Sequence, residues 1–407
     1  MHMKCRWVLA LAAAAAILAG ESCSSSHVPA NSSLMWIATQ DDRQVRTYTI
    51  SLEKGSVLAV GNSNGNPAAT GVQPVEMALT PDGRTMFIVN SGGNGTAGSI
   101  TAYTLNADGS LKAAGSGVAA GETPISLAVD PGGKFLFVAN QGTSGDVTSG
   151  TVSVFSISGT SLTEVAGSPF PTEVPGDVSG TGPSAVAASP AGNFVYVANA
   201  FNSTVESFSF DSSGALTLIA RYSAGTNPSG LAFSRCAGVT SSTATAACPG
   251  ADGNDLFVSN SGSNNVTIFS ACIQASGTCS APDGTLAEIP SGSPVASGVG
   301  PAGILIDPTN DFVYVVNRGS DQVSQYQYSP VTGVLTFLDN ASGGASVFSG
   351  GITANISNQT NTFNWVVVTN NGASNVSIFH VALSGRLAPL ASGAFPLKGQ
   401  PSAILLR

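Results

Sequence analysis

The feature that most constrains the fold is a short motif that recurs seven times along the 407 residues. Each copy is an apolar segment of about six residues that ends in Asn, or in Thr in the first copy. The copies occupy residues 34–39, 85–90, 135–140, 194–199, 255–260, 312–317 and 365–370, and their ends are 51, 50, 59, 61, 57 and 53 residues apart. Self-similarity at a nearly fixed period is typical of repeat architectures, so the chain is built from seven copies of one unit.

Each unit carries three further strand patterns around this motif. An apolar segment that opens with Pro lies upstream, as at Pro74 and Pro124, and turn residues such as Pro81-Asp82-Gly83 join it to the motif. Downstream, segments such as residues 152–157 alternate apolar and polar residues, which is typical of a half-buried strand. A weaker fourth strand follows turns such as residues 108–111. Four short antiparallel strands per unit predict a β-propeller blade.

The two ends of the repeat region predict how the ring closes. The first copy of the motif, at residues 34–39, has no Pro-initiated strand before it, and residues 400–407 form such a strand with no motif after it. The last strand therefore completes the first blade and leaves no open sheet edge. With the divergent residues 346–356 as the seventh Pro-type strand, the sequence predicts an all-β, seven-bladed β-propeller in one domain, residues 34–407.

Composition agrees with an all-β fold and excludes one broad class of function. Hydrophobic residues make up 43% of the chain, which is enough for a large core. Charged residues make up only 9%, which is too few for the solvated faces of a helical protein. The formal net charge is −9 at pH 7, and nucleic-acid binding needs a basic surface. We therefore expect no nucleic-acid partner.

The amino terminus predicts export from the cytoplasm. Lys4 and Arg6 precede an apolar run that ends at Gly20, which is typical of a signal peptide, here residues 1–22, followed by a tether of residues 23–33. The stretch before Cys23 resembles a bacterial lipoprotein signal, although Gly20 and Glu21 depart from its preferred residues. A lipid on Cys23 would hold the protein in the periplasm or at the cell surface. The alternative is ordinary cleavage and release.

The other cysteines predict two local disulfides. Cys5 leaves with the signal peptide, and the remaining four are Cys236, Cys248, Cys272 and Cys279. Exported proteins meet an oxidising compartment, so we predict the bridges Cys236–Cys248 and Cys272–Cys279. The rival hypothesis is a metal site, but no histidine lies near and the spacing differs from that of zinc sites. No pattern indicates a metal or a cofactor.

The repeat pattern of a Pro-initiated strand, an Asp-Pro-x-Gly turn and an apolar-Val-x-Asn strand resembles that of seven-bladed lactonase-type (6-phosphogluconolactonase-like) propellers and of YVTN-type surface propellers. The resemblance covers about residues 34–407. It implies an Arg-His pair after the first-strand Pro, and often an acidic residue after the motif Asn, in catalytic members. This chain has neither: the residues after the motif Asn are Ser91, Gln141, Ala200, Ser261, Arg318 and Asn371.

The loops that follow each motif, together with those that enter each Pro-initiated strand, are expected to form one rim of the central channel, where a ligand would bind. The charged residues of this rim are Asp41, Asp42, Arg43, Asp146, Arg318 and Asp321. Glu76 is the one charged residue at its position in any of the recognised Pro-initiated strands. One hypothesis is that channel water or an arginine neutralises Glu76; the other is that Glu76 contacts a ligand, with Arg43, Arg318 and Asp321 as partners.

The residues favour a binding function over an enzymatic one. Of three histidines, only His380 lies in the propeller, on an alternating strand typical of a structural or solvent-facing side chain. The leading interpretation is an envelope propeller that binds a small ligand, a carbohydrate or a protein without catalysis. The alternative is a lactone hydrolase with a divergent site at Glu76, Arg43 and Arg318, in which Glu76 and Arg318 are the catalytic candidates. A scaffold in an envelope or redox assembly is a third hypothesis.

Overall fold

The computed structural model describes residues 31–61, 66–93, 95–146, 149–172, 180–191, 193–234, 253–273, 282–342, 351–354, 365–391 and 393–407. Every regular secondary-structure element within these ranges is a β-strand. The described residues include no helix that is long and apolar enough to cross a membrane. The predicted signal peptide, most of the tether and Cys23 lie outside them.

The described strands form seven antiparallel sheets, which confirms the predicted seven-bladed propeller. We number the blades in chain order of the motif strand, and call the four strands of each blade inner, second, third and outer. In that order, blade 1 consists of Pro401–Leu406, Ser32–Thr39, Gln44–Ser51 and Val57–Ala59; blade 2 of Pro74–Leu79, Thr85–Asn90, Ser99–Leu105 and Leu111–Ala113; blade 3 of Pro124–Val129, Phe135–Asn140, Thr151–Ser158 and Ser161–Glu164; blade 4 of Pro183–Ala188, Phe194–Asn199, Thr204–Phe210 and Leu216–Ser223; blade 5 of Pro228–Phe233, Gly253–Asn260, Asn265–Cys272 and Leu286–Glu288; blade 6 of Pro301–Ile306, Phe312–Asn317, Gln322–Ser329 and Val334–Ser342; and blade 7 of Ile352–Ala354, Trp365–Asn370, Asn375–Val381 and Leu387–Pro389.

Five blades contain a further two-residue strand that the sequence did not predict. These strands pair with the third strand of blades 1, 2, 3, 5 and 7, and they are Ala68–Ala69, Val118–Ala119, Phe170–Pro171, Val295–Ala296 and Phe395–Pro396. In blades 4 and 6 the outer strand is instead long enough to cover the whole third strand. In both arrangements, the third strand is paired along both edges near the motif end of the blade.

The second strands are apolar on both faces because a neighbouring blade covers each face. In blade 2, Met86 and Ile88 pack with Trp36 of blade 1, whereas Phe87 and Val89 pack against blade 3. The continuous apolar run of the motif is therefore the sequence pattern of a strand buried on both sides.

The Asn that ends each motif joins the second strand to the third. The Nδ2 atoms of Asn90, Asn140 and Asn317 donate to the hydroxyls of Thr101, Ser153 and Ser324 at 3.0, 2.9 and 2.9 Å. These hydrogen bonds lie at the end of each blade where the second strand stops. The motif Asn therefore has a structural role in each of these blades.

Head-to-tail closure of the ring is confirmed. The inner strand Pro401–Leu406 pairs with Ser32–Thr39, and Leu34 and Arg407 exchange two backbone hydrogen bonds of 2.9 Å. Contacts between inner strands connect every blade to the next, including blade 7 to blade 1. The seventh inner strand, predicted within residues 346–356, is present as Ile352–Ala354.

The predicted disulfides fall mainly outside the described residues. Cys272 ends the third strand of blade 5 and is disulfide-bonded. Cys236, Cys248 and Cys279, together with most of both cysteine-bearing insertions, lie outside the described ranges. The two pairings remain predictions.

Candidate functional site

A cavity of about 560 Å³ opens at the end of the ring where the second strands stop and the inner strands begin. This is the rim at which the sequence places the ligand site. The lining has two layers: the residue that follows the motif in six blades, and the first residues of the inner strands. The first layer consists of Gln40, Gln141, Ala200, Ser261, Arg318 and Asn371, and the second includes Val75, Glu76, Ile125, Ser126, Ser184, Ser229 and Ser402.

Glu76 lines this cavity from the inner strand of blade 2 and is half-buried. Its Oε2 accepts a hydrogen bond of 2.8 Å from the backbone N–H of Leu127. Leu127 belongs to the inner strand of blade 3. Among the described residues, Glu76 is in none of the ion pairs, so the expected arginine partner is not what holds it.

The position of Glu76 explains this contact. An inner strand is the edge of its sheet, and its outward N–H groups lack a strand partner. Glu76 is the second residue after Pro74, the inner-strand Pro of blade 2. Its carboxylate accepts a hydrogen bond from the N–H of Leu127, the third residue after Pro124 of blade 3. Ser126 repeats the arrangement one blade further on, because its Oγ accepts from the N–H of Val186 at 3.1 Å. The equivalent residues of blades 1, 4, 5 and 6 are Ala403, Ala185, Gly230 and Gly303, which carry no polar side chain.

Burial raises the pKa of Glu76 above its usual value, and the nearby Ser126 hydroxyl and the hydrogen bond from the Leu127 N–H oppose this rise. No neighbouring charge among the described residues contributes to the shift. The carboxyl group therefore keeps its proton to a higher pH than a solvated glutamate does. In its ionised form, a carboxylate with a raised pKa is a stronger base toward a reacting group.

Among the described residues that line the cavity, Arg318 is the one cation. It is exposed at the start of the loop after the second strand of blade 6, and its side chain has no hydrogen bond or ion pair to any described residue. Blade 6 is three blades from blade 2 in the shorter direction around the ring, so Arg318 and Glu76 lie on nearly opposite walls. A ligand in the cavity meets a carboxylate on one side and a guanidinium on the other.

The remaining predicted rim partners do not line the cavity. Arg43 and Asp321 occupy the corresponding loops of blades 1 and 6, each with a positive φ, at 52° and 50°. Asp42 pairs with the buried Arg46. Burial alone would raise the pKa of Asp42, but the hydrogen bonds from Arg46 and Thr39 and the charge of Arg46 lower it below its usual value.

Neutral hydrogen-bonding groups dominate the rest of the lining. Gln40, Gln141 and Asn371 supply amides, and four inner-strand serines supply hydroxyls. The described residues of the cavity lining include no aromatic residue and no histidine. His380 lies elsewhere, exposed on the third strand of blade 7, where its ring packs against Trp365 with the centroids 5.4 Å apart. In the described part of the chain, no cluster of three His, Cys, Asp or Glu side chains could hold a metal ion.

Sequence reasoning identified Glu76 but not the Leu127 N–H that holds it. Leu127 is 51 residues away, and no local pattern links the two. Ser126 was detectable in principle, because it is the one hydroxyl at the same inner-strand position as Glu76. That comparison needs the register of neighbouring inner strands, which the repeat pattern gives only approximately.

A second cavity, of about 280 Å³, lies at the opposite end of blades 3 and 4 and includes Asp130, Lys134 and Asp211. Its two carboxylates accept hydrogen bonds from backbone N–H groups of the adjacent turns. Asp130 accepts from the N–H groups of Gly132, Lys134 and Phe135, and Asp211 accepts from those of Ser213 and Ala215. Both carboxylates of this cavity therefore serve the turns that border it.

The sequence matches the family described as lactonase, seven-bladed beta-propeller, over residues 34–168, 148–270 and 251–400. The chain belongs to this family. No functionally curated protein matches it in sequence.

Solved structures with the same fold include the periplasmic gluconolactonase PpgL of Pseudomonas aeruginosa, at 20% identity and a TM-score of 0.72, over 92% of this chain and 99% of that one. A putative 6-phosphogluconolactonase from Bacteroides uniformis has 17% identity and a TM-score of 0.69, over 93% and 100% of the two chains. One from Bacteroides fragilis has 16% identity and a TM-score of 0.68, over 93% and 98%. At these identities the similarity establishes the fold.

Proposed function

We propose that this protein is a lactone hydrolase and that the central cavity is its active site. The observation that carries the proposal is the Glu76 carboxylate, which lines the cavity, has a raised pKa and is oriented by a hydrogen bond from the Leu127 N–H. Family membership and the gluconolactonase names of similar structures support the reaction class. This reverses the order of the two interpretations drawn from the sequence.

In the proposed reaction, Glu76 accepts a proton from water as the water oxygen attacks the lactone carbonyl. The ring C–O bond then breaks, and the proton passes from Glu76 to the departing alkoxide oxygen. This leaves a hydroxy acid, whose carboxyl group then releases its proton to the solvent. The raised pKa makes the ionised form of Glu76 a stronger base. The neutral amides and hydroxyls of the lining hydrogen-bond to the hydroxyls of the substrate, and Arg318 supplies the positive charge of the opposite wall.

The test is a screen of sugar lactones, in which acid release is followed with a pH indicator. We expect Glu76→Gln to lower kcat/KM by about 100-fold or more, since a positioned general base contributes about 10²–10⁴-fold. Glu164→Gln, on the outer strand of blade 3, is the matched control and should behave as the wild type. Unchanged activity in Glu76→Gln, or the absence of turnover with every lactone, would count against the proposal.

The two arginines provide a second comparison in the same assay. Arg318 lines the cavity and Arg43 does not, although both lie in loops of the same rim. We expect Arg318→Gln to change KM or kcat and Arg43→Gln to change neither. Equal effects would mean that the site extends beyond the cavity.

The second candidate function is ligand binding without catalysis in the same cavity. It is favoured by the lack of a histidine among the described residues of the lining and by the hydrogen bond that Glu76 already accepts from Leu127. Calorimetry with the same lactones and their hydroxy acids separates the two functions. Binding that Glu76→Gln weakens, with no turnover by the wild type, would favour this candidate.

We also propose that the protein is exported and held in a bacterial envelope by a lipid on Cys23, with disulfides Cys236–Cys248 and Cys272–Cys279. The signal-like residues 1–22 and the periplasmic location named for a similar structure support export. Cell fractionation should find the wild type in membranes and Cys23→Ala in the soluble fraction. Intact mass should show no free thiol in the exported protein, and four free thiols would refute the disulfides.

A further inference from the structure

The inner strands of blades 3 and 4 show where the third residue after the inner-strand Pro directs its backbone N–H. In blade 3, the N–H of Leu127 donates to Oε2 of Glu76 in blade 2 at 2.8 Å. In blade 4, the N–H of Val186 donates to Oγ of Ser126 in blade 3 at 3.1 Å. Each N–H therefore points out of its own blade, toward an acceptor that lines the cavity.

Leu231 and Ile304 are the equivalent residues of blades 5 and 6. Leu231 lies three residues before Ser234, and Ile304 lies three residues before Asp307, with no register shift in between. The N–H groups of Ser234 and Asp307 donate to the second strands of their blades at 2.8 and 2.9 Å. Because the hydrogen bonds of an antiparallel pair fall on alternate residues, the N–H groups of Leu231 and Ile304 point away from the second strand.

These two N–H groups lack the side-chain acceptor that blades 3 and 4 have. The preceding blade carries Ala185 opposite Leu231 and Gly230 opposite Ile304, and neither residue has a polar side chain. In the described part of the chain, no group outside its own sheet accepts from either N–H. Their equivalents in blades 3 and 4 are only 4% and 6% exposed, whereas Leu231 and Ile304 are half-buried and line the cavity. Both donors are therefore open to a ligand.

The inner strands of blades 5 and 6 are held together at the level of these donors. The Ser229 hydroxyl donates to the carbonyl of Pro301 at 2.7 Å, and the Ser259 hydroxyl donates to that of Ala302 at 3.1 Å. A Cβ on Gly230 would lie 2.6 Å from the Ala302 oxygen, so the strands are too close for a side chain to stand between them. The two N–H groups therefore occupy fixed positions on neighbouring strands.

We propose that the N–H groups of Leu231 and Ile304 bind the carbonyl oxygen of the lactone and stabilise the negative charge that develops on it when water attacks. The inference rests on the proposed function. Blades 5 and 6 are the two blades farthest from blade 2 around the ring, so these donors face Glu76 across the cavity, and Arg318 adds positive charge to their wall. Donors fixed before the reaction stabilise such a charge without reorganisation. The charge leaves the oxygen when the carbonyl re-forms and the ring C–O bond breaks.

The first test is hydrogen exchange of the wild-type full chain, followed at single amides by NMR without any ligand. We expect the amides of Leu231 and Ile304 to exchange about tenfold or more faster than those of Leu127 and Val186, because only the latter two have an acceptor. Equal protection at the four positions would overturn the proposal, since the two donors would then be closed to a ligand.

The second test uses glycolate, the smallest hydroxy acid, as a probe for the carboxylate that every lactone product carries. Glycolate should move the amide resonances of Leu231 and Ile304, relative to sodium chloride at the same concentration. The internal control is the amide of Met77, which holds the equivalent position in blade 2 opposite Ala403 but lies outside the cavity lining. No movement at Leu231 and Ile304, or equal movement at Met77, would overturn the proposal.

The third test closes one donor from within the protein. Ala185→Ser places a hydroxyl opposite the N–H of Leu231, as Ser126 is placed opposite that of Val186, and should slow exchange at Leu231. We expect it to lower kcat/KM for lactones by about 100-fold, mainly through kcat, since loss of one such donor costs about 10²–10³ in kcat. The matched control is Ala403→Ser in blade 1, which should behave as the wild type. Unchanged kcat/KM in Ala185→Ser, or an equal loss in Ala403→Ser, would reject the proposal.

The outcomes separate this inference from the proposed function. If glycolate moves both amides but no lactone is hydrolysed, the proposed function fails, while Leu231 and Ile304 remain a carboxylate-binding site. If lactones are hydrolysed and Glu76→Gln is inactive, but Ala185→Ser is as active as the wild type, the proposed function stands and the present inference fails.

Discussion

Arg221 Nε donates a hydrogen bond of 2.6 Å to Oε1 of Glu206 inside blade 4. Glu206 is fully buried, whereas the Arg221 side chain is 30% exposed at the edge of the blade. Glu206 occupies the third-strand position where five other blades carry the Ser or Thr whose hydroxyl accepts a hydrogen bond from the motif Asn. Blade 1 has the buried Arg46 at this position, paired with Asp42. A buried charge replaces a hydroxyl in two blades, and each charge has an opposite partner nearby.

The burial of Glu206 predicts an unusual pH dependence of stability. Burial raises the pKa of Glu206 to about 7, although the hydrogen bond and charge of Arg221 oppose the rise. The folded state therefore holds this proton more tightly than the unfolded state does. The stability that Glu206 contributes is complete below the unfolded pKa of about 4.5, and it is lost as the pH rises through about 7.

Glu206→Gln should remove this dependence. Between pH 4.5 and pH 8, we expect the free energy of unfolding of the wild type to fall by roughly 3 kcal/mol relative to that of Glu206→Gln, since one pKa unit corresponds to about 1.4 kcal/mol. Urea titrations of both proteins at several pH values measure the difference. Parallel curves for the two proteins across this range would contradict the prediction.

A hydrogen bond between blades 5 and 6 predicts a second stability difference. The hydroxyl of Tyr328 donates to Oδ2 of Asp255 at 2.7 Å, and both side chains are buried. Burial raises the pKa of Asp255 to about 6, and the bond from Tyr328 opposes this. Tyr328→Phe should lower the free energy of unfolding by about 2 kcal/mol above pH 6, where Asp255 is ionised, and by less below it.

Tyr196→Phe is the matched control. The Tyr196 hydroxyl is also buried but has no hydrogen-bond partner in the described part of the chain. Its removal should leave the free energy of unfolding within about 0.5 kcal/mol of the wild type, since no hydrogen bond is lost. Equal destabilisation by the two substitutions would mean that the hydrogen bond between the blades contributes little.

The turn between the inner and second strands of blade 3 predicts that two substitutions of Asp130 lower the free energy of unfolding by different amounts. The buried Asp130 accepts from three backbone N–H groups, two of them at 2.6 Å. Blades 4 and 5 carry Ser189 and Ser234 at this position, and each serine oxygen still accepts one backbone N–H. Asp130→Ala should therefore cost about 3 kcal/mol of folding free energy, and Asp130→Ser about half of that. Denaturant titrations in which the two variants are equally destabilised would argue against this role of the carboxylate.

The sequence predicted the parts of this structure that depend on repeated local patterns. Second strands such as Phe135–Asn140 match the predicted bounds because a strand buried on both faces must be apolar throughout. Ring closure was predictable because residues 400–407 lack a motif strand of their own. The two-residue strands such as Ala68–Ala69 were not, because two residues leave no alternating pattern to detect.

The candidate site was predictable in its position more than in its contacts. The composition of the repeats singled out Glu76, and the loop after the motif singled out Arg318, which shares the cavity with it. Arg43 and Asp321 lie in equivalent loops outside the lining, because a loop position does not fix the direction of a side chain. The capping of Leu127 by Glu76 depends on the register between two blades, which single-strand patterns do not encode.

The pairing of Pro401–Leu406 with Ser32–Thr39 leaves both described ends of the chain side by side, on the face of the ring opposite the cavity mouth. A short linker could therefore join residue 407 to residue 32, and new termini could be opened between any two blades without altering the order of the sheets. A circularly permuted protein of this kind would keep its pocket unobstructed. The same geometry lets a fusion partner or a surface attachment be added at either end without crowding the entrance.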